Sequence, residues 1–213
     1  MISVDILKQV ILDNQHDVER QIVIPRSVNL EEGMNYVLVG VRRAGKSFML
    51  YQRMQQNLQQ GIGWDKMLYI NFEDERLINM EASELNLLLE AFARIYANDR
   101  PILFLDELQN VVGWEKFARR LADSKFRVYI TGSNARMLSA EIATTLGGRY
   151  IMKEVYPYSF AEYIDAHRVS RTKTAQIATK TRAVLQRYFD EYMQYGGFPE
   201  CINLPAKRDY LMS

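Results

Sequence analysis

The sequence contains one cysteine and no long apolar run. Cys201 stands alone among 213 residues, so the chain cannot form an internal disulfide. This favours a reducing compartment and a small buried side chain at Cys201. No segment approaches the roughly 18 apolar residues that a membrane span requires. The first residues, which include Asp5, do not resemble a signal peptide. We therefore expect a cytoplasmic protein with no membrane partner.

The chain also has little net charge, no internal repeat and no low-complexity segment. Its 27 basic and 26 acidic residues leave a formal net charge of +1. The chain as a whole is therefore not a polycation that seeks nucleic acid. Hydrophobic residues make up 48% of the sequence and charged residues 25%, as in an ordinary globular protein. The information about function must lie in local motifs.

The most informative motif is G-V-R-R-A-G-K-S at residues 40–47, which matches the phosphate-loop pattern G-x-x-x-x-G-K-[ST]. An apolar segment of strand type precedes it and a good helix former follows it, which is the context that the motif needs. The backbone N–H groups of such a loop and the positive end of the helix dipole face an anion. We expect Lys46 to reach the β- and γ-phosphates and Ser47 to hold Mg²⁺. The predicted nucleotide-binding residues are Gly40, Val41, Arg42, Arg43, Ala44, Gly45, Lys46, Ser47 and Phe48.

A second motif, I-L-F-L-D-E at residues 102–107, is an apolar strand followed by two acids, the Walker B pattern. We expect this strand to run beside the phosphate-loop strand, so that its end brings Asp106 next to Mg²⁺. Glu107, one residue further, is then placed to polarise the attacking water. A solvated strand end is the alternative explanation for two adjacent acids, and the phosphate loop upstream argues against it.

Two further segments contribute polar candidates. The sequence R-V-Y-I-T-G-S-N predicts a strand that ends at Ser133 and Asn134, where either side chain could hold the γ-phosphate or the lytic water. Gly-Ser-Asn would equally form a turn. Arg149, in L-G-G-R, could reach the nucleotide of a neighbouring subunit, and a plain surface arginine is the alternative.

Strands that alternate with helices predict an α/β fold with a central parallel sheet covered by helices on both faces. We expect strands near residues 35–39, 66–72, 101–106, 127–131 and 150–155, with helices between them. After Pro157 only helices are predicted, over 159–167 and 174–195. The expected organisation is an N-terminal helical segment (1–24), a P-loop core (25–156) and a small C-terminal helical segment (157–213).

Three more motifs complete a recognisable series: L-D-E-L-Q, Y-P-Y-S-F-A-E-Y, and Y-G-G-F-P-E at residues 195–200. In this order the motifs resemble the ATPases of the AAA+ superfamily found across bacteria and archaea, from about residue 20 to about residue 205. The resemblance implies a P-loop core of the ASCE type, with an added strand between the phosphate-loop strand and the Walker B strand. It also implies ATP and Mg²⁺ as ligands and a lid after Pro157.

The resemblance further implies a role for each matching residue. Lys46 and Ser47 would bind phosphates and Mg²⁺, Asp106 would support Mg²⁺ and Glu107 would be the base. Ser133 or Asn134 matches the sensor-1 position, and Arg149 matches an arginine finger. No motif assigns a sensor-2 arginine to Arg182 or Arg187. Members of the family continue beyond G-G-F-P-E into a domain often described as nuclease-like, so we expect this chain to be part of a longer protein.

The partner is less well defined by the sequence. Residues 165–187 hold six basic residues and one acid, a local excess of +5, which suits either DNA contact or a solvated helix face. Three hypotheses follow: an ATPase, which could be a homo-oligomer, that remodels DNA or protein; a slow nucleotide-gated switch that signals to a C-terminal effector; and a small-molecule kinase. Glu107 argues against the kinase, because an acid there suits water activation. The absence of an N-K-x-D motif favours ATP over GTP.

Overall fold

The computed structural model describes residues 2–133, 140–169, 179–202 and 204–212. These divide into two compact units. The first unit comprises residues 1–40 and 46–154, and the second comprises residues 41–45 and 155–213. Within the described residues, no helix is both long and apolar enough to cross a bilayer.

The first unit is built on parallel strands. Its strands are β1 (Tyr36–Gly40), β2 (Met67–Asn71), β3 (Ile102–Asp106), β4 (Val128–Ser133) and β5 (Ile151–Glu154). They pair in the order β2-β3-β4-β1-β5, and every pair is parallel. Its helices are α1 (Val4–Arg20), α2 (Lys46–Gln59), α3 (Asn86–Tyr96), α4 (Trp114–Asp123) and α5 (Ala140–Leu146). The predicted α/β fold with a central parallel sheet flanked by helices is confirmed.

The two faces of the sheet carry different side chains. Beneath α2 lies an aromatic face on which Tyr129 stacks between Tyr36 and Phe104, with ring centroids 6.0 and 4.9 Å away. The opposite face is aliphatic and packs against α1, α3 and α4. Successive side chains of a strand point to opposite faces of the sheet. Each strand must therefore be apolar at nearly every position if both faces of the sheet are to be buried.

The predicted N-terminal helix packs on this second face. Ser3 caps it by accepting a hydrogen bond from the backbone N–H of Ile6 at 3.2 Å. Leu7, Val10 and Ile11 recur at helical spacing and are fully buried in the core.

One prediction about the sheet is wrong. The Walker B strand β3 does not run beside the phosphate-loop strand β1, because β4 lies between them. The strand order instead has the intervening strand that the family resemblance implies. All the strands are parallel, so β1, β3 and β4 still end at one edge of the sheet. We call this the carboxyl edge, and the edge where the strands begin the amino edge.

The described residues of the second unit beyond residue 155 contain helices and no strand. Its described helices are α6 (Phe160–Ala166), α7 (Thr179–Tyr195) and α8 (Lys207–Met212). The S-F-A-E sequence forms a capping box at the start of α6: the Ser159 hydroxyl accepts from the N–H of Glu162, and the Glu162 carboxylate accepts from the N–H of Ser159. Cys201 is buried and unpaired, as expected.

The G-G-F-P-E motif contacts the chain just before α6. The N–H of Tyr158 donates to the carbonyl of Gly197 at 2.7 Å, and the Tyr192 hydroxyl donates to the carbonyl of Tyr158 at 2.9 Å. A Cβ on Gly197 would lie 2.0 Å from the Tyr158 carbonyl oxygen. Only glycine therefore allows this approach of two backbone segments.

Candidate nucleotide site at the carboxyl edge

The phosphate loop leaves β1 at Gly40 and enters α2 at Lys46. Its left-handed residues are Arg43, with φ of 64°, and Gly45, with φ of 90°. Gly40 remains the last residue of the strand, and the loop bends at Arg43 and Gly45. The N–H of Ala44 donates to the carbonyl of Val41 at 3.3 Å, which closes a turn within the loop.

The side chains of the loop differ in their surroundings. Val41 and Arg42 are exposed. Arg43 belongs to the second unit, where its guanidinium lies 4.4 Å from the centroid of the Tyr210 ring and its Nε is 3.8 Å from Glu200. Arg43 is therefore already engaged by the last residue of the G-G-F-P-E motif and by Tyr210 of α8.

Lys46 is a buried cation that faces the Walker B segment. Its side chain is 4% exposed, and its Nζ donates to the carbonyl of Gly40 at 3.3 Å. The same Nζ lies 3.5 Å from Oε1 of Glu107. A buried charge is costly unless it is paired, so the ion pair with Glu107 offsets the cost of burying the Lys46 ammonium group.

Asp106, at the end of β3, is surrounded by hydroxyl groups. Its side chain accepts hydrogen bonds from Thr131 and, at 3.1 Å, from Tyr69, and the Ser47 hydroxyl lies near enough to stabilise its ionised form. Burial raises the pKa of Asp106 to about 6, and the hydroxyls act in the opposite direction by stabilising the ionised form. The site thus joins Ser47, at the start of α2, to the Walker B acid.

Thr131 links the two Walker B acids, and sequence reasoning did not single it out. Its hydroxyl donates to Oδ1 of Asp106 and accepts from the backbone N–H of Glu107 at 2.9 Å. Thr131 is fully buried in β4, the strand next to β3. Only the lateral order of the strands reveals this contact, since a threonine inside a strand otherwise has the ordinary role of a β-branched residue.

Glu107 adopts a left-handed backbone with φ of 53° and ψ of 39°. This conformation is uncommon for a residue other than glycine, and such conformations cluster at functional sites. The Gln109 side-chain amide donates to Oε2 of Glu107, while Lys46 faces Oε1. The glutamine of L-D-E-L-Q therefore orients the second acid, a role that the motif alone did not reveal.

A line of hydroxyls continues from Asp106 beneath α2. Tyr69 donates to Asp106, and the hydroxyls of Tyr69 and Tyr51 lie 3.1 Å apart. Burial and the nearby Asp106 carboxylate hold the pKa of Tyr69 well above its usual value, so Tyr69 is a proton donor to that carboxylate. Phe48, a predicted nucleotide contact, is 40% exposed and packs edge-on against Tyr51 at 5.2 Å.

We refer to Lys46, Ser47, Tyr69, Asp106, Glu107, Gln109 and Thr131 as the carboxyl-edge network. Ser133 ends β4 next to it, in register with Gly40 of β1. Its neighbour Asn134 lies outside the described residues. Five of the residues predicted to form the site lie at the carboxyl edge of the sheet: Lys46, Ser47, Asp106, Glu107 and Ser133.

Arg149 lies elsewhere in the first unit. It precedes β5 and is therefore at the amino edge, opposite Asp106. Its Nε donates to Oδ1 of Asp123 at 2.5 Å, and this ion pair lowers the pKa of Asp123. Arg149 does not join the carboxyl-edge network of its own chain.

The donors of the network suit a magnesium ion. Mg²⁺ prefers hard oxygen ligands and is usually bound through one or two protein groups, several waters and substrate phosphates. The Ser47 hydroxyl and the Asp106 carboxylate are two such oxygens that lie near one another. The residues therefore fit the ion that the phosphate-loop motif implies.

With this geometry in view, comparison with known proteins places the chain in a family. A family model described as "AAA domain" matches residues 33–164. The chain belongs to the AAA domain family. The match spans all five strands, the phosphate loop and the first turns of α6.

Two longer proteins are similar to this chain in sequence. An uncharacterized protein of Methanocaldococcus jannaschii is 41% identical over 92% of this chain and 43% of its own length. An uncharacterized protein of Haemophilus influenzae is 38% identical over 78% of this chain and 40% of its own length. The chain thus spans less than half the length of these curated relatives.

Two solved structures are similar at low identity. Cdc6p from Pyrobaculum aerophilum has a TM-score of 0.43 and 17% identity, covering 63% of this chain and 42% of that one. The Orc1 protein of Aeropyrum pernix, solved in complex with DNA, has a TM-score of 0.42 and 15% identity, covering 76% of this chain and 46% of that one.

Proposed function

We propose that this chain binds ATP with Mg²⁺ and hydrolyses it. The observation that carries the proposal is the convergence of the phosphate-loop Lys46 and Ser47 with both Walker B acids inside one buried network. The Ser47 hydroxyl lies near Asp106, and the Nζ of Lys46 is 3.5 Å from Oε1 of Glu107. Membership of the AAA domain family supports nucleotide binding, and the lack of an N-K-x-D motif favours adenine over guanine.

Each residue then has a defined task. Lys46 would exchange its contact with Glu107 for the β- and γ-phosphate oxygens of ATP. This exchange would leave the Glu107 carboxylate able to accept a proton from the attacking water. Ser47 and Asp106 would hold Mg²⁺, which neutralises charge on the phosphates when bound. Ser133, or Asn134 beside it, would contact the γ-phosphate or the water.

The network would keep Glu107 in a fixed orientation during the reaction. Thr131 accepts from its N–H, and Gln109 donates to its side chain. A base held in place by buried partners needs less reorganisation at the moment of proton transfer than one on a mobile loop. We assign Thr131 and Gln109 as positioning residues, since they act through Glu107.

We further propose roles for Arg149 and for the basic segment at residues 165–187. Because Arg149 lies at the amino edge, it could serve as an arginine finger only for the nucleotide of another copy in an oligomer. Hydrolysis would then be coupled to a protein or DNA partner, with residues 165–187 as one candidate surface. Residues 170–178 of that segment lie outside the described residues.

A slow nucleotide-gated switch is the second candidate, and one observation favours it. Lys46 and Gln109 both contact the Glu107 carboxylate. A base neutralised in this way is not ready to activate water, so turnover would wait for a signal that separates Lys46 from Glu107. An effector domain beyond this chain would receive the nucleotide-dependent change.

The test is phosphate release from MgATP by the wild type and by Glu107→Gln, beside binding of a fluorescent ATP analogue. We expect the substitution to reduce turnover by about 10²-fold or more, the scale of general base catalysis, while binding is retained. Glu75→Gln, which changes an exposed acid in the same unit, is the matched control and should leave both unchanged. Lys46→Ala should abolish binding of the ATP analogue, and its signal defines the background of the binding measurement.

The outcomes separate the two candidates. Turnover in the wild type that disappears in Glu107→Gln supports hydrolysis with Glu107 as base. Tight binding without wild-type turnover supports the switch. Normal turnover in Glu107→Gln would mean that another group activates the water, and a wild type that fails to bind ATP would overturn the proposal.

A further inference from the structure

The amino edge of the sheet carries an unusual set of cations. Because β2, β3 and β4 are parallel and adjacent, the residues just before them meet at this edge. Lys66 directly precedes β2, Arg100 precedes Pro101 and β3, and Arg127 directly precedes β4. Lys125 lies on the turn before Arg127. These four residues line one cavity of 680 Å³, which we call the amino-edge cavity.

The register of the strands brings the cations into a row. Met67 pairs with Ile102, and Leu103 pairs with Val128, so β2, β3 and β4 begin at nearly the same level. Neighbouring strands lie about 4.8 Å apart, so the starts of β2 and β4 are roughly 10 Å apart. A row of cations of this length suits a polyanion, whose charges repeat along its length, better than a single small anion.

The cavity has little compensating negative charge. None of its lining residues is acidic. In the described part of the chain, no salt bridge joins Lys66, Arg100, Lys125 or Arg127 to a carboxylate. Two of the cations each follow an acid in the sequence: Asp99 precedes Arg100, and Asp65 precedes Lys66. Asp99 is exposed, and Asp65 turns back so that its Oδ1 lies against Gly63. Asp123, near Lys125, is already paired with Arg149.

Two members of the cavity are positioned for more than charge. The Arg100 guanidinium donates to the carbonyl of Ser124 and lies 5.6 Å from the ring centroid of Phe126. An arginine held in this way keeps further N–H donors for an anion. Phe126 is half-buried in the same cavity and offers an aromatic surface of the kind on which unpaired bases stack.

We propose that the amino-edge cavity binds the phosphate backbone of single-stranded nucleic acid. Lys66, Arg100 and Lys125 are exposed, so each alone would attract a small anion only weakly. A polyanion that meets all four cations at once gains from the release of several counterions. The site involves only the first unit and does not depend on ATP hydrolysis.

The test measures binding of a fluorescently labelled single-stranded oligonucleotide of about 20 nucleotides, longer than the footprint of one binding module. Anisotropy is recorded between about 50 and 200 mM salt, the range over which phosphate contacts are weakened. Four contacts predict a slope of log affinity against log salt near −2.8, from about −0.7 per phosphate in a single strand.

The decisive variant is the triple substitution Lys66→Gln, Lys125→Gln and Arg127→Gln. We expect it to lower affinity at least tenfold and to make the slope shallower by about 2, since three contacts are lost. The matched control is Arg20→Gln, Arg94→Gln and Lys116→Gln, which removes the same charge from exposed positions on helices. The control should bind as the wild type does, and both variants should hydrolyse ATP at the wild-type rate.

Three results would overturn the proposal. The first is no wild-type binding at the lowest salt. The second is an equal loss of affinity in the two triple variants, which would mean that only the total charge matters. The third is displacement of the oligonucleotide by polyglutamate at matched charge as readily as by unlabelled oligonucleotide, which would assign the cavity to an acidic protein segment.

Discussion

The motifs that carry the family resemblance fall into two regions with different physical roles. In the first unit, L-D-E-L-Q and I-T-G-S place side chains that bond to other side chains: Thr131 to Asp106 and Gln109 to Glu107. In the second unit, S-F-A-E-Y and G-G-F-P-E place two residues, Ser159 and Gly197, that contact the backbone. Ser159 caps a helix, and Gly197 admits the Tyr158 carbonyl. A motif can therefore identify a family equally well through chemistry or through packing.

This difference predicts different consequences of substitution. Changes in the carboxyl-edge network should alter turnover with limited loss of stability. Changes in the backbone-directed motifs of the second unit should lower stability, with turnover changing only as folding is lost. A network variant that lost stability but kept its turnover, or a second-unit variant that kept its stability but lost turnover, would weaken this distinction.

The largest effect is expected at Gly197. In Gly197→Ala the new Cβ would meet the Tyr158 carbonyl oxygen at 2.0 Å and Tyr192 Cε2 at 2.8 Å. Because two backbone segments must separate, we expect a loss of about 3 kcal/mol or more in the free energy of unfolding, on the scale of severe core overpacking. Thermal unfolding followed by circular dichroism measures it, with hydrogen exchange at Tyr158 reporting on the local contact.

The neighbouring glycine provides a matched control. Gly196 has φ of +72°, but a Cβ there would meet nothing closer than Phe198 Cδ2 at 3.8 Å. Gly196→Ala should therefore cost only the left-handed strain, about 1–2 kcal/mol. Equal losses at the two positions would show that the close approach at Gly197 is not what fixes the motif.

The sequence predicted the elements of the first unit better than their contacts. Strands and helices followed from apolar periodicity, and the phosphate loop gave Lys46 and Ser47 by motif. The position of β4 between β1 and β3 could not follow from residue spacing, because spacing along the chain carries no information about lateral order. Thr131 and Tyr69 were missed for that reason: each contacts Asp106 from a strand on either side of β3.

A smaller effect, and one on activity, is expected at Thr131. Thr131→Val keeps the shape but removes the hydroxyl that donates to Oδ1 of Asp106 and accepts from the N–H of Glu107. Unsatisfied buried groups cost about 1–3 kcal/mol, so if most of this cost appears in the transition state, kcat should fall about tenfold. The KM for ATP should change by less than about threefold, because Lys46 is untouched.

Thr131→Ser separates the hydroxyl from the methyl group. Serine retains the hydroxyl that forms both hydrogen bonds. Because little transition-state free energy is then lost, kcat should return to within about twofold of the wild type. If the serine variant is as slow as the valine variant, packing of the threonine methyl group rather than the bridge between the two acids controls the rate. If neither variant is slow, Thr131 is not a positioning residue.

The smallest effect is expected at Ser159. Ser159→Ala removes the acceptor for the N–H of Glu162 at the start of α6 while the rest of S-F-A-E-Y is kept. Loss of an N-cap costs about 1 kcal/mol, which corresponds to a shift in Tm of about 2–4 °C for a chain of this size. Ser159→Thr should retain most of the stability, since threonine also caps helices. ATP turnover, measured well below the Tm, should be the same in all three proteins. If Ser159→Ala melts like the wild type but hydrolyses ATP more slowly, the S-F-A-E-Y motif acts in the reaction rather than in the stability of the fold.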